Sequence, residues 1–187
     1  MIIMFRHRKH QSLRPVFCTS PTLCKSAQTF PPDKLIPLGS VYSFSYHFFI
    51  YINNYTYQYG ALKEVFSKGD KDYACPSFWL DSKINDGIFN IMTGNGMRTF
   101  RLKNIDVRRW CHIAICVREG EADLYYKGKL AYTGILGDYC KINEDSLYIG
   151  RNGGFDGLLY RLQYTPDFLT PQQVANFASK SPPINKK

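Results

Sequence analysis

The sequence predicts an all-β sandwich closed by one short C-terminal helix. Three observations carry this. Tyrosine and phenylalanine are abundant, with 14 and 13 copies, and such residues suit pleated, half-buried surfaces. From Tyr42, aromatic residues alternate with polar ones through Phe44, Tyr46 and Phe48, the period of a strand with one buried face. Short apolar runs then recur along the chain, separated by Gly, Asn and Asp turns, the spacing of a sandwich or barrel.

Taken in order, residues 1–29 show no sustained periodicity and are expected to form an irregular arm. Residues 30–37 (FPPDKLIP) read as an edge strand, because proline cannot donate to ladders on both sides. The strongest strand runs over 41–52 and stops at Asn53-Asn54. Further strands are expected at 65–68, 77–81, 88–92 and 99–103. The long run 110–118 (WCHIAICVR) is reversed by Glu119-Gly120 into 122–126, and Lys127-Gly128 reverses the chain again into 129–135. Strands at 146–149 and 158–164 complete the set. The helix is predicted at 171–177, with Thr170 as cap, Pro171 in the first turn and Gln173 as the capping-box partner. Trp110, Phe44, Phe48 and Ile113 are expected in the core. The sandwich is therefore placed at 30–178, between the arm and a basic tail at 179–187.

The formal charge of +9 is unevenly spread. Residues 1–34 hold six Lys/Arg against the single acid Asp33, a balance of +5. Residues 180–187 add three lysines, and 35–179 are nearly neutral at +1. A basic arm on a neutral body suits an acidic partner or an assembly, and Arg6, Arg8, Lys9 and Arg14 are its candidate contacts. No base-reading module accompanies them, so nucleic acid is not expected as a specific ligand. No apolar run approaches the roughly 20 residues of a membrane-spanning helix, and the N-terminus does not read as a secretory signal. The six cysteines lack zinc spacing, and Cys111 and Cys116, five apart in one strand, point to opposite faces. The thiols are expected to be mostly free, as in a reducing compartment.

Four pieces of the chain, in order, carry a resemblance. FSYHFFIYINN (44–54) resembles the first long strand of the laminin-G-like, concanavalin A-like jelly rolls, and VFSKGD (65–70) the strand and turn that follow. RRWCHIAICVREGEADLYYKGKL (108–130) resembles their Trp-x-His-x-Ala strand and hairpin. LYIGRNGGFDGLLYRLQY with LTPQQV resembles the closing strands and final helix. The usual tryptophan of the first long strand is Phe49 here. Within the superfamily, the wording of 50–70 resembles laminin-G-like proteins of large DNA viruses. The resemblance implies a concanavalin A-like (laminin-G-like) jelly-roll sandwich.

The resemblance also frames the candidate chemistry. Glucanases of this superfamily carry a Glu-x-Asp-x-x-Glu strand, and retaining cleavage needs two facing carboxyls. The nearest cluster here, Glu119, Glu121 and Asp123, has the spacing Glu-x-Glu-x-Asp, without an acid at the third acidic position of that motif, and sits at a hairpin tip; it reads as a solvated turn. His112 has no recognisable nucleophile partner in sequence and reads as packed. Calcium-binding relatives point to Asp70 and Asp72 as weak metal candidates, and to Asp138, Glu144 and Asp145 in a second loop, without spacing that guarantees convergence. No cofactor is expected. For sugar, Tyr55, Tyr57 and Tyr59 alternate after the first long strand beside Asn54, a candidate stacking platform, although the same rings can pack the loop onto the sandwich.

The expected function is a non-enzymatic structural or interaction protein, a minor capsid-associated component of a large DNA virus. Its expected partners are other capsid subunits, and its expected location is the virion or otherwise the cell interior. The alternative is a lectin-like carbohydrate-binding module, with a glycan as partner. A glycan hydrolase is the weaker third reading.

Overall fold

The computed structural model describes residues 15–34, 43–70, 72–180 and 182. Among these residues, thirteen strands are distributed over two antiparallel sheets. They are β1 (Val16–Phe17), β2 (Thr22–Leu23), β3 (Gln28–Phe30), β4 (Phe44–Asn54), β5 (Lys63–Lys68), β6 (Ser77–Leu80) and β7 (Gly87–Thr93). The others are β8 (Gly96–Leu102), β9 (Trp110–Arg118), β10 (Glu121–Tyr126), β11 (Lys129–Ile135), β12 (Leu147–Ile149) and β13 (Asp156–Thr165). Helix α1 spans Pro171–Ala178. Sheet A runs β1-β13-β4-β9-β10-β11, with β2 also on β13, and sheet B runs β3-β12-β5-β6-β7-β8.

Period-2 alternation decides which side chains meet between the sheets. From β4, Phe44, Tyr46, Phe48, Ile50 and Ile52 face inward, and from β9, Cys111, Ile113, Ile115 and Val117. They meet Phe66, Phe78, Phe89 and Ile91 of sheet B, and Phe48 lies with its ring centroid 5.5 Å from Phe66 and 5.3 Å from Phe78. The same alternation corrects one expectation. Trp110 shares the parity of His112 and Ala114, not that of Ile113, so it lies half-buried on the outer face of sheet A, its ring 5.5 Å from Tyr51. All six cysteines are free and buried, with Cys111 in the main core and Cys116 on the opposite face.

The N-terminal segment departs from expectation. Residues 15–29, read as irregular, supply three short strands: β1 and β2 pair with β13, and β3 pairs with β12. Phe17 and Cys24 enter the core. Strands of two or three residues show no periodicity of their own; existing sheet edges organise them. The edge strand read at 30–37 ends at Phe30, and Pro32–Lys34 form a 3-10 turn instead, which suits proline's fixed φ. The arm residues Arg6, Arg8, Lys9 and Arg14, and the expected strand residues at 35–42, lie outside the described residues.

The turn before β13 is shaped by close backbone approach. Gly154 has φ +47°, and a Cβ there would stand 1.8 Å from the Cys24 carbonyl oxygen. A strand follows this turn, as expected. Helix α1 begins with the full capping box: the Gln173 amide N–H donates to Thr170 Oγ1, and the Thr170 amide N–H donates to Gln173 Oε1. Val174 and Phe177 lay the helix over part of the outer face of sheet A, against Ala114, Cys116 and Tyr125. No helix among the described residues is long and apolar enough to cross a membrane.

Candidate functional site

The sequence-predicted tyrosines do not form a common platform. The Tyr55 hydroxyl donates to the Asp81 carbonyl (2.9 Å), and its ring packs against the core. Burial beside Asp81 and Asp86 pushes its phenol pKa up. The Tyr57 hydroxyl donates to the Gly153 carbonyl (3.2 Å), and its ring lies under the Lys25 ammonium. Tyr59 alone of the three stands out, at 66% exposure. Asn54 Oδ1 accepts from the Thr56 amide (3.0 Å) and Oγ1 (2.8 Å), closing the loop on itself. Two of the three rings thus tie the loop to distant backbone.

The acidic candidates are dispersed. Glu119 accepts from the Tyr139 hydroxyl, Glu121 pairs with Arg118 (2.8 Å), and Asp123 accepts from Thr133 Oγ1 (2.6 Å). Asp70 lies 3.4 Å from Arg151, and Asp72 is exposed. Among the described residues, no three His, Cys, Asp or Glu side chains gather to hold a metal. His112 is buried, its Nε2 3.4 Å from His47 Nδ1.

The outer face of sheet B is organised differently. Its strand register aligns Thr29, Tyr148, Ser67, Ser77, Asn90 and Thr99 as successive neighbours, one from each of the six strands. At about 4.8 Å between strands, five spacings give a row about 24 Å long, but its middle members Ser67 and Ser77 are buried, so the accessible polar groups are Thr29 and Tyr148 at one end and Asn90 and Thr99 at the other. The next row holds Glu64, Trp79, Ile88 and Arg101. These residues face outward because their strand neighbours Phe66, Phe78 and Phe89 fill the core.

Hydrogen bonds hold this face in place. Trp79 Nε1 donates to Ser77 Oγ (3.0 Å), fixing a half-exposed indole beside the row. Thr99 Oγ1 donates to Asn90 Oδ1 (2.8 Å). Arg101 pairs with Asp81 (2.8 Å). The Asp81 carboxyl is held down to about 2, first by the Lys83 amide and then by Arg101. At the other end, Arg151 forks onto the fully buried Glu64 carboxylate (3.0–3.1 Å) and stacks 4.1 Å over the Tyr148 ring. The result is the Trp79 indole with the Asn90 amide and Thr99 hydroxyl beyond it, and at the other end a Tyr148 ring stacked under Arg151. Such a surface can stack on the apolar face of a sugar ring and hydrogen-bond its hydroxyls. Trp79 was not singled out from sequence. SFWL is apolar on both sides of the ring, so only the register shift in β5 between Glu64 and Phe66 and the pairing of β6 show which way the indole faces.

Comparison with known proteins agrees with this architecture. The family Laminin_G_3, described as the concanavalin A-like lectin/glucanases superfamily, matches residues 25–175. The receptor-binding domain of botulinum neurotoxin C/D mosaic serotype superposes with a TM-score of 0.63 at 11% identity, covering 73% of this chain and 36% of that one. The binding domain of botulinum neurotoxin serotype G gives 0.60 at 16% identity, with 73% and 36% covered. A botulinum neurotoxin type C structure, whose cell entry depends on two ganglioside molecules, gives 0.59 at 15%, with 73% and 35% covered. The chain thus spans about a third of these toxin domains. The likeness is one of fold. No curated protein sequence matches the chain.

Proposed function

The chain belongs to the concanavalin A-like lectin/glucanases superfamily, and we propose that it acts as a non-enzymatic, lectin-like glycan-binding domain whose ligand lies across the outer face of sheet B. The observation that carries this reading is the half-exposed Trp79, held beside Asn90 and Thr99 on this face. Trp79 supplies the stacking surface, and Asn90, Thr99 and Tyr148 the hydrogen-bonding groups. A retaining hydrolase would need two facing carboxyls, whereas Glu119, Glu121 and Asp123 each have a separate partner.

Binding to an array of neutral and acidic glycans tests the proposal. Retention of at least one glycan is expected, with Trp79→Ala weakening it by about tenfold or more, the scale of one lost stacking contact. Tyr59→Ala should leave retention intact. Loss with Tyr59→Ala and persistence with Trp79→Ala would move the site to the tyrosine loop. No retained glycan at all would overturn the reading.

The capsid-associated reading rests on one separate observation, the +5 balance of residues 1–34 against +1 in 35–179. If Arg6, Arg8, Lys9 and Arg14 dock on an acidic assembly, removing residues 1–14 should abolish co-purification with particles and leave the sandwich folded. That association should weaken as salt rises, because exposed charges are screened beyond about 8–10 Å. Equal association of both forms across a salt series would remove this reading.

A further inference from the structure

The outer face of sheet A carries a second surface, opposite in chemistry to the glycan face. Leu23, Leu158, Tyr51 and Trp110 are successive register partners across β2, β13, β4 and β9, so they share one face. Their neighbours Leu159, Ile50, Ile52 and Cys111 point into the core, which fixes that face as outward. Tyr160 continues it, its ring centroid 6.3 Å from that of Trp110, and beyond it, at 6.2 Å, lies Phe49, which is buried. Leu23 is 63% exposed. Helix α1 covers the other half of the face, through Phe177 stacked 4.1 Å from His47. No described segment covers the half around Trp110.

Cations rim this half. Arg108 and Arg109 are exposed immediately before Trp110, and Arg161 follows Tyr160. None of the three makes an ion pair among the described residues. The nearby acids Asp106 and Asp156 are paired with Lys127 and Lys25.

The geometry points to an anionic phospholipid bilayer as the partner of this face. Trp and Tyr favour the membrane–water interface, exposed Leu23 can enter the acyl boundary, and the unpaired cations attract acidic headgroups. A sugar fits poorly, because the apolar row offers no amide or carboxylate to hold hydroxyls in register. A second copy of the chain packed face to face would set the cationic rims against one another. The inference is independent of the glycan reading and lies on the opposite sheet.

The two tryptophans, Trp79 and Trp110, stand on opposite outer faces, which makes the test specific. The full chain is sedimented with phosphatidylcholine vesicles, with and without phosphatidylserine, at low and physiological salt. Tryptophan emission is followed in a Trp79→Phe background. The expected result is phosphatidylserine-dependent sedimentation that weakens with salt, with a blue shift of Trp110 emission. Leu23→Asp, a change at an exposed position, should reduce binding about tenfold. Unchanged circular dichroism and Tm confirm its fold. Arg161→Glu should have a similar effect. Absence of phosphatidylserine-dependent sedimentation overturns the inference. So does sedimentation that survives Leu23→Asp with no Trp110 shift, which would assign the contact to the basic arm.

Discussion

Phe48→Ala is expected to lower the unfolding free energy by about 3–5 kcal/mol, the usual cost of truncating a fully enclosed aromatic. Phe48 is 0% exposed and is gripped between Phe66 and Phe78 of the facing sheet, so its removal leaves a cavity where the two sheets meet. For a chain of this size that corresponds to a fall in Tm of roughly 10 °C. Trp110→Ala should cost only about 1–2 kcal/mol, because its ring is half-buried on the outer face and loses aromatic contacts without opening the core. Urea denaturation of both variants at neutral pH decides the matter. If Trp110→Ala proved as damaging as Phe48→Ala, the parity assigned to β9 would be wrong.

That parity shows what the sequence could and could not reveal. The strands at 110–118 and 129–135 were legible to the residue, and the helix to within one, because periodicity, turn residues and capping are local signals. Placing Trp110 and Ile113 together in the core followed hydrophobicity alone, although three positions apart in a strand cannot share a face. Strands β1 to β3 were not legible, because two- or three-residue strands take their form from the edges they join. The site was hidden for the same reason. Tyr55, Tyr57 and Tyr59 alternate like a platform, but the hydroxyls of Tyr55 and Tyr57 bond carbonyls of Asp81 and Gly153, far away in sequence. The polar row of sheet B draws one residue from each of six strands, so no contiguous stretch contains it. Trp79, Asn90 and Thr99 become a surface only once the register is set.

The same packing builds a buried histidine pair whose cost should appear in acid. His47 and His112 face each other across β4 and β9, beneath Phe177 of α1, and both are 2% exposed. Burial, the facing His112 and nearby Arg161 hold His47 down to about 3, and burial holds His112 down to about 4, against an ordinary 6.5. Their folded values lie below the unfolded ones, so the unfolded chain binds more protons between them. The stability contributed by the neutral pair is therefore complete above about pH 6.5 and drains away as pH falls through about 4 and 3. By pH 4 each histidine should have cost on the order of 3 kcal/mol. The Asp81 carboxyl, held down to about 2, acts below the interval from pH 6.5 to 4.5 in which the pair is followed. The only other histidines, His7 and His10, lie outside the described residues. Unfolding free energies measured across that interval should fall steadily in the wild type and fall about half as steeply in His47→Phe, which keeps a ring against Phe177 and cannot take up a proton. In the double variant with His112→Phe the curve should be nearly flat. A wild-type stability that does not change between pH 7.5 and 4.5 would mean that water reaches the pair and that α1 does not seal this part of sheet A.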